Sequence, residues 1–116
     1  MNIRTLIIGI GLFLVAQGLS WFQTNGQFLN VWIKNNPFWV ALVFGVPVGM
    51  AYIYGTTYIV ESFNGQLWPS RLLGFATGIF AFTFLSYVFM GEGINTKTAI
   101  SLVLATTLVS IQIFWK

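Results

Sequence analysis

Seven charged side chains punctuate the 116-residue chain: Arg4, Lys34, Glu61, Arg71, Glu92, Lys97 and Lys116. Between them lie long uncharged stretches at 5–33, 35–60, 72–91 and 98–115. A helix rising ~1.5 Å per residue needs ~20 apolar residues to cross ~30 Å of hydrocarbon, and each stretch holds one such helix. A charge at the middle of a spanning helix costs ~3 kcal/mol on insertion scales, which drives charges to the ends. The spacing therefore predicts an all-α, polytopic membrane protein with four transmembrane helices in a small bundle. The spans are expected at about 5–22, 37–60, 71–90 and 97–115, within one domain covering residues 1–116. Composition agrees: 57% of residues are hydrophobic and 6% charged, against roughly 25% charged in a soluble domain. A soluble fold of this size exposes too much of its surface to hide so much apolar material.

Local signals refine the boundaries. Met1-Asn2-Ile3-Arg4 ahead of an apolar run has the outline of a secretory signal peptide, with Ala16-Gln17-Gly18 as a small-residue cleavage site. We expect the segment to be retained as the first span. Residues 23–36 read as a loop, and its Phe28, Leu29, Val31, Trp32 and Ile33 suit the headgroup level. Asn36 is the expected N-cap of the second span, with Pro37 at its first turn. Pro47, between Gly45 and Gly49, removes one backbone hydrogen bond and predicts a bend. Asn64-Gly65 marks a turn, Trp68-Pro69-Ser70-Arg71 a helix start, Gly91 a helix end, and Asn95 or Thr96 the cap of the fourth span. Trp115-Lys116 reads as an interfacial anchor.

The inventory excludes much chemistry. The chain has no His, no Cys and no Asp, so the usual zinc, iron and copper ligand sets cannot be assembled. Glu61 and Glu92, both at predicted span ends, are the only carboxylates. Paired-carboxylate and Ser-His-Asp chemistry lack their parts, no phosphate-cradling glycine loop is present, and we expect no enzyme and no cofactor. The net charge of +3 comes from scattered residues and makes no patch for nucleic acid. Arg71 abuts an apolar run, where it either snorkels to the interface or pairs with Glu61.

What remains is neutral polar groups inside the spans. Gln17, Ser20 and Thr24 share a face of the first helix, and Thr98, Ser101, Ala105 and Gln112 share a face of the fourth. Tyr52, Tyr54 and Tyr58 cluster late in the second. Gln17 and these three tyrosines are the candidate substrate-binding residues; the plainer alternative for Gln17 is a hydrogen bond that glues helices together. Gly45-xxx-Gly49 and Gly74-xxx-Gly78 are small-xxx-small patterns and are expected to pack helices closely.

Gly78-Ile79-Phe80, then Leu85-Ser86-Tyr87-Val88-Phe89-Met90-Gly91-Glu92, then Ala99-Ile100-Ser101-Leu102 resemble the third-to-fourth-helix region of the small multidrug resistance proteins, the minimal branch of the drug/metabolite transporter superfamily. The resemblance covers about residues 78–115. It implies a small four-span transporter that works as a homodimer. That family carries a titrating Glu in its first helix, where this chain offers Gln17, and its Tyr-x-x-Trp pair in the third helix is missing here. The resemblance therefore implies the family's fold and pairing without its proton coupling.

Taken together, the sequence reads as a transporter-like protein of the cell (inner) membrane, in contact with membrane lipids. It would bind or move a small polar or lipid-like solute as a dimer. The alternatives are an accessory subunit packed against a larger membrane complex, or a narrow channel. Four spans place both termini on one membrane face, and Arg4, Arg71 and Lys116 against Lys34 and Lys97 favour a cytoplasmic face. Reporters fused at residues 1 and 116 are expected to report the same, cytoplasmic, side; opposite signals from a single inserted population would rule the four-span topology out.

Overall fold

The computed structural model describes residues 2–115. Its elements are α1 (Ile3–Asn25), a 3-10 turn (Gly26–Phe28), α2 (Val31–Asn35), α3 (Pro37–Ser62), α4 (Trp68–Met90) and α5 (Thr96–Phe114). No strand occurs among the described residues. The helices α1, α3, α4 and α5 are long and apolar enough to cross a membrane; the shortest, α5 with 19 residues, spans ~28 Å. The chain is an integral membrane protein. The expected anchor at Lys116 lies outside the described residues.

The helix ends follow from local chemistry. Asn2 caps α1 by accepting from the amides of Arg4 and Thr5, so the first helix starts before the expected Thr5. It also runs three residues beyond Phe22, to Asn25. The expected loop at 23–36 is therefore largely helical: the end of α1, the 3-10 turn and the short α2, whose Val31 and Trp32 are exposed. Asn36 occupies the N-cap position of α3, but its side chain donates to the Trp32 carbonyl at 2.8 Å and closes α2 instead. The α3 helix continues through Pro47 to Ser62. Asn64 and Gly65 both take positive φ, 57° and 87°, which turns the chain sharply into α4. Gly91 ends α4 in the left-handed region, with the Glu92 amide reaching back to the Ser86 carbonyl; this is the closing pattern that glycine permits without strain. Asn95 caps α5 through the Thr98 amide at 2.9 Å.

The first span is the centre of the molecule. It packs antiparallel to α3 and parallel to α4, while α5 leans on α4 without direct backbone contact to α1 or α3. The result is a flattened bundle, 48 × 35 × 18 Å. Its core gathers Leu6 and Phe13 from α1, Ile59 from α3 and Leu73 from α4, with Val109 and Ile113 of α5 packed against it.

The tightest crossing joins α1 to α3. A Cβ placed on Gly9 would stand 2.4 Å from the Ile59 side chain and 3.1 Å from the Gly55 carbonyl oxygen. A Cβ on Gly55 would stand 2.6 Å from the Phe13 ring. The expectation for the second span thus needs correction. A Cβ on Gly49 meets nothing within 4 Å, and one on Gly45 only approaches the Gln23 amide, at 4.0 Å. The close contact of α3 lies at Gly55, in the half of the helix beyond Pro47. Gly74 and Gly78 do sit under α1: a Cβ on the first would stand 3.6 Å from the Phe13 ring, and one on the second 3.0 Å from the Gln17 amide.

Gly55→Leu and Gly9→Leu are expected to destabilise the fold by ~1–3 kcal/mol or more, because the added atoms overlap a neighbouring helix. Gly49→Leu should change stability by no more than ~0.5 kcal/mol, the ordinary range away from packed sites. Thermal unfolding of the three variants in detergent checks the ranking, and equal losses at Gly49 and Gly55 would show that the crossing lies elsewhere.

Candidate functional site

A groove of about 1250 Å³ opens on one face of the bundle. It exists because α5 stands against α4 alone, leaving the face of α4 between α1, α3 and α5 uncovered. Phe13 and Gln17 of α1 form its floor, Tyr52 and Thr56 of α3 one wall, and Lys97, Thr98 and Ser101 of α5 the other. Along its length runs a stripe of α4 that includes Arg71, Phe75, Gly78 and Phe82. These recur at i, i+4, i+7 and i+11, so a single helical face presents them all. From Arg71 to Thr83 the stripe measures ~18 Å along the helix axis.

Gln17 makes a helix-to-helix hydrogen bond and also lines the groove. Its Nε2 donates to the Gly74 carbonyl oxygen at 2.9 Å, across the α1–α4 contact. The amide lies so close over Gly78 that a side chain there would displace it. No bond is accepted by its Oε1 among the described residues, and no buried polar side-chain atom is left unpartnered. The oxygen is therefore not fully enclosed, and Gln17 lines the groove with that acceptor unpaired.

The three tyrosines separate. Tyr52 lines the groove and packs against Phe13, ring centroids 5.9 Å apart and tilted by 57°. Tyr54 is exposed, and Tyr58 is half-buried outside the groove lining. Helical geometry is the reason. At ~100° per residue, Tyr54 is turned about 200° from Tyr52 and Tyr58 about 240°, whereas Thr56, four residues on, returns to the same face. Closeness in sequence gave the wrong grouping, and the 3.6-residue period selects Tyr52 with Thr56. Residues of the two predicted faces divide likewise. Ser101 and Thr98 reach the groove, Thr24 bonds back to the Ser20 carbonyl of its own helix, and Ala105 is buried.

Sequence reading passed over Phe13, Thr56, Phe75 and Phe82 as site residues, and treated Arg71 as an interfacial or Glu61-paired charge and Lys97 as a span-end charge, neither as part of a site. The i, i+4, i+7 stripe from Arg71 was the signal that would have found half of them. It also passed over a buried polar contact beyond the groove. Trp21 Nε1 donates to Ser86 Oγ at 3.1 Å, and the indole stacks near Phe89, 5.8 Å between centroids.

That contact has two unequal partners. A serine hydroxyl that loses the indole can turn to the carbonyl four residues back, as Thr77 and Thr83 do in the same helix. The indole N–H has no such local alternative. Ser86→Ala is therefore expected to cost more than Trp21→Phe loses through its missing hydrogen bond, itself ~0.6 kcal/mol and seldom above ~1.7. Unfolding of Ser86→Ala, Trp21→Phe and the double variant in detergent measures the difference, the cycle separating the hydrogen bond from the volume that phenylalanine leaves empty; a Ser86→Ala cost no larger than the coupling would place the hydroxyl, not the indole, as the dependent partner.

No family model, curated protein or solved structure matches the chain.

Proposed function

We propose that this membrane protein binds, and as a transporter-like carrier moves, a small polar or lipid-like solute in the groove along α4. Two copies would face each other to enclose it. The observation that carries this reading is Gln17, with its amide oxygen unpaired, in the lining of a groove to which all four spanning helices contribute residues. A site of this kind, mostly apolar with a few convergent polar groups, is the usual form of a small-molecule pocket. One copy leaves the groove open along its length, and a second copy is the economical way to shut it from lipid. The likeness of residues 78–115 to small multidrug resistance proteins points to the same class of protein. Gln17 in place of the family's Glu removes the titrating group, so the carrier works without an acidic coupling residue in that helix. We place the protein in the cell (inner) membrane with both termini in the cytoplasm.

A second reading draws on α5. Only Ala105 is buried in that helix, and Val103, Leu104 and Ile111 are exposed. A face of this kind is equally content against lipid or against another membrane protein, as an accessory subunit would require.

Gln17→Leu discriminates. The lost bond to Gly74 costs ~0.6 kcal/mol of stability, and binding of fluorescent amphiphiles to the purified protein is expected to fall at least tenfold while the fold persists. Binding left intact in a folded Gln17→Leu variant would reduce Gln17 to helix glue. Native mass spectrometry of the same sample is expected to resolve a dimer. A monomer at every concentration, recovered from the membrane only with a stoichiometric partner, would transfer the case to the accessory reading.

A further inference from the structure

The charges around the groove are all of one sign. Of the seven charged residues in the chain, Arg71 and Lys97 line it, and neither Glu61 nor Glu92 does. Both cations are exposed, and they come from different helices, Arg71 from the first turn of α4 and Lys97 from the first turn of α5. Neither first turn contains an acidic residue. The amino-terminal end of a helix is the positive end of its dipole, where a cation is disfavoured and an anion is held. Each cation thus adds to a positive potential that its own helix already makes, and no carboxylate of the groove offsets it. Between the two charged positions the lining turns apolar and aromatic, with Phe75, Ile79 and Phe82 along α4. The groove is open along one side, in a protein whose surroundings at that depth are acyl chains.

We infer that the solute of this groove is an anionic amphiphile, its acidic head held by Arg71 or Lys97 and its apolar chain laid along Phe75, Ile79 and Phe82. This rests on the reading of the groove as the solute site, and fixes the sign of charge that the site accepts. The arrangement has a cation at each end of the apolar stripe, so a head group leaving one end meets an equivalent partner at the other. Gln17, midway, is neutral and does not distinguish head groups by charge, which leaves the selection to the two ends.

Three probes with one chain and different heads test the sign: hexadecyl phosphate, hexadecanol and hexadecyltrimethylammonium, each titrated against the purified full-length protein in neutral detergent and followed by native mass spectrometry. Hexadecyl phosphate is expected to bind at least tenfold more tightly than the other two. Arg71→Gln and Lys97→Gln should each weaken it about twofold, because the other end still holds the head, and the double variant at least fivefold, the effect of losing a basic side chain near an anionic partner. Arg71→Lys should retain binding, which separates the charge from any damage to folding. Lys34→Gln is the control, since Lys34 is exposed and lies outside the groove lining, and it should leave binding unchanged. Inorganic phosphate should not displace the probe, because it lacks the chain.

Preference for the trimethylammonium probe, an equal loss in Lys34→Gln, or displacement by inorganic phosphate would each overturn the inference. The wider reading fails separately. If the cationic probe binds best and is lost in Gln17→Leu, the groove is still the solute site and only the sign is wrong. If no probe binds, or none responds to substitution at Gln17, the site itself falls and the inference with it.

Discussion

The structure depends on how closely α1 approaches α3 where Gly9 faces Gly55. In lipid the hydrophobic effect does not push helices together, because acyl chains are as apolar as leucine; association rests on van der Waals fit and on hydrogen bonds between helices. The Gly9–Gly55 crossing supplies the fit. With no Cβ on either residue the backbones close until Ile59 covers Gly9 and the Phe13 ring covers Gly55. Phe13, almost wholly buried, then has its other edge against Gly74 of α4. One aromatic ring on α1 thereby fixes the positions of two neighbouring helices.

Polar contacts repeat the pattern. Among the described residues, the side-chain hydrogen bonds that join spanning helices are Thr5 with Ser62, Gln17 with Gly74, Trp21 with Ser86 and Gln23 with Ala41. Every one begins on α1. The hydroxyls of Thr57, Thr77, Thr83, Thr106 and Thr107 instead bond a carbonyl four residues earlier on their own helix. That satisfies the group in a medium without water but links nothing. Among the described residues the last helix makes only such side-chain bonds, apart from its Asn95 cap. It is accordingly the least enclosed of the four spans, and the groove is the space left by its standing apart.

Legibility in the sequence followed the kind of constraint involved. Spans and turns were readable because each depends on residues near one another in the chain: charges against the length of the hydrocarbon, Asn64-Gly65 against positive φ, Gly91 against a left-handed helix end. Caps were readable only in part, since Asn95 caps α5 while Asn36 closes α2 rather than opening α3. The candidate site was readable in part. Gln17 stood out because an amide in hydrocarbon needs a partner, and Tyr52 was included, though grouped with two tyrosines that the helical period turns away from it.

The sequence by itself determined that four helices cross the membrane, since no unpaired backbone survives there and the charges leave room for four spans. Tertiary structure decided which glycines matter. Gly45, Gly49, Gly74 and Gly78 carry the same pattern in the sequence, and a glycine is permissive wherever it stands. It becomes a packing site only where another helix arrives, and arrival is set by the whole bundle. The same holds for the groove. Arg71 and Lys97 are two isolated charges along the chain, and they share a cavity because α5 touches α4 and leaves the rest of that face open.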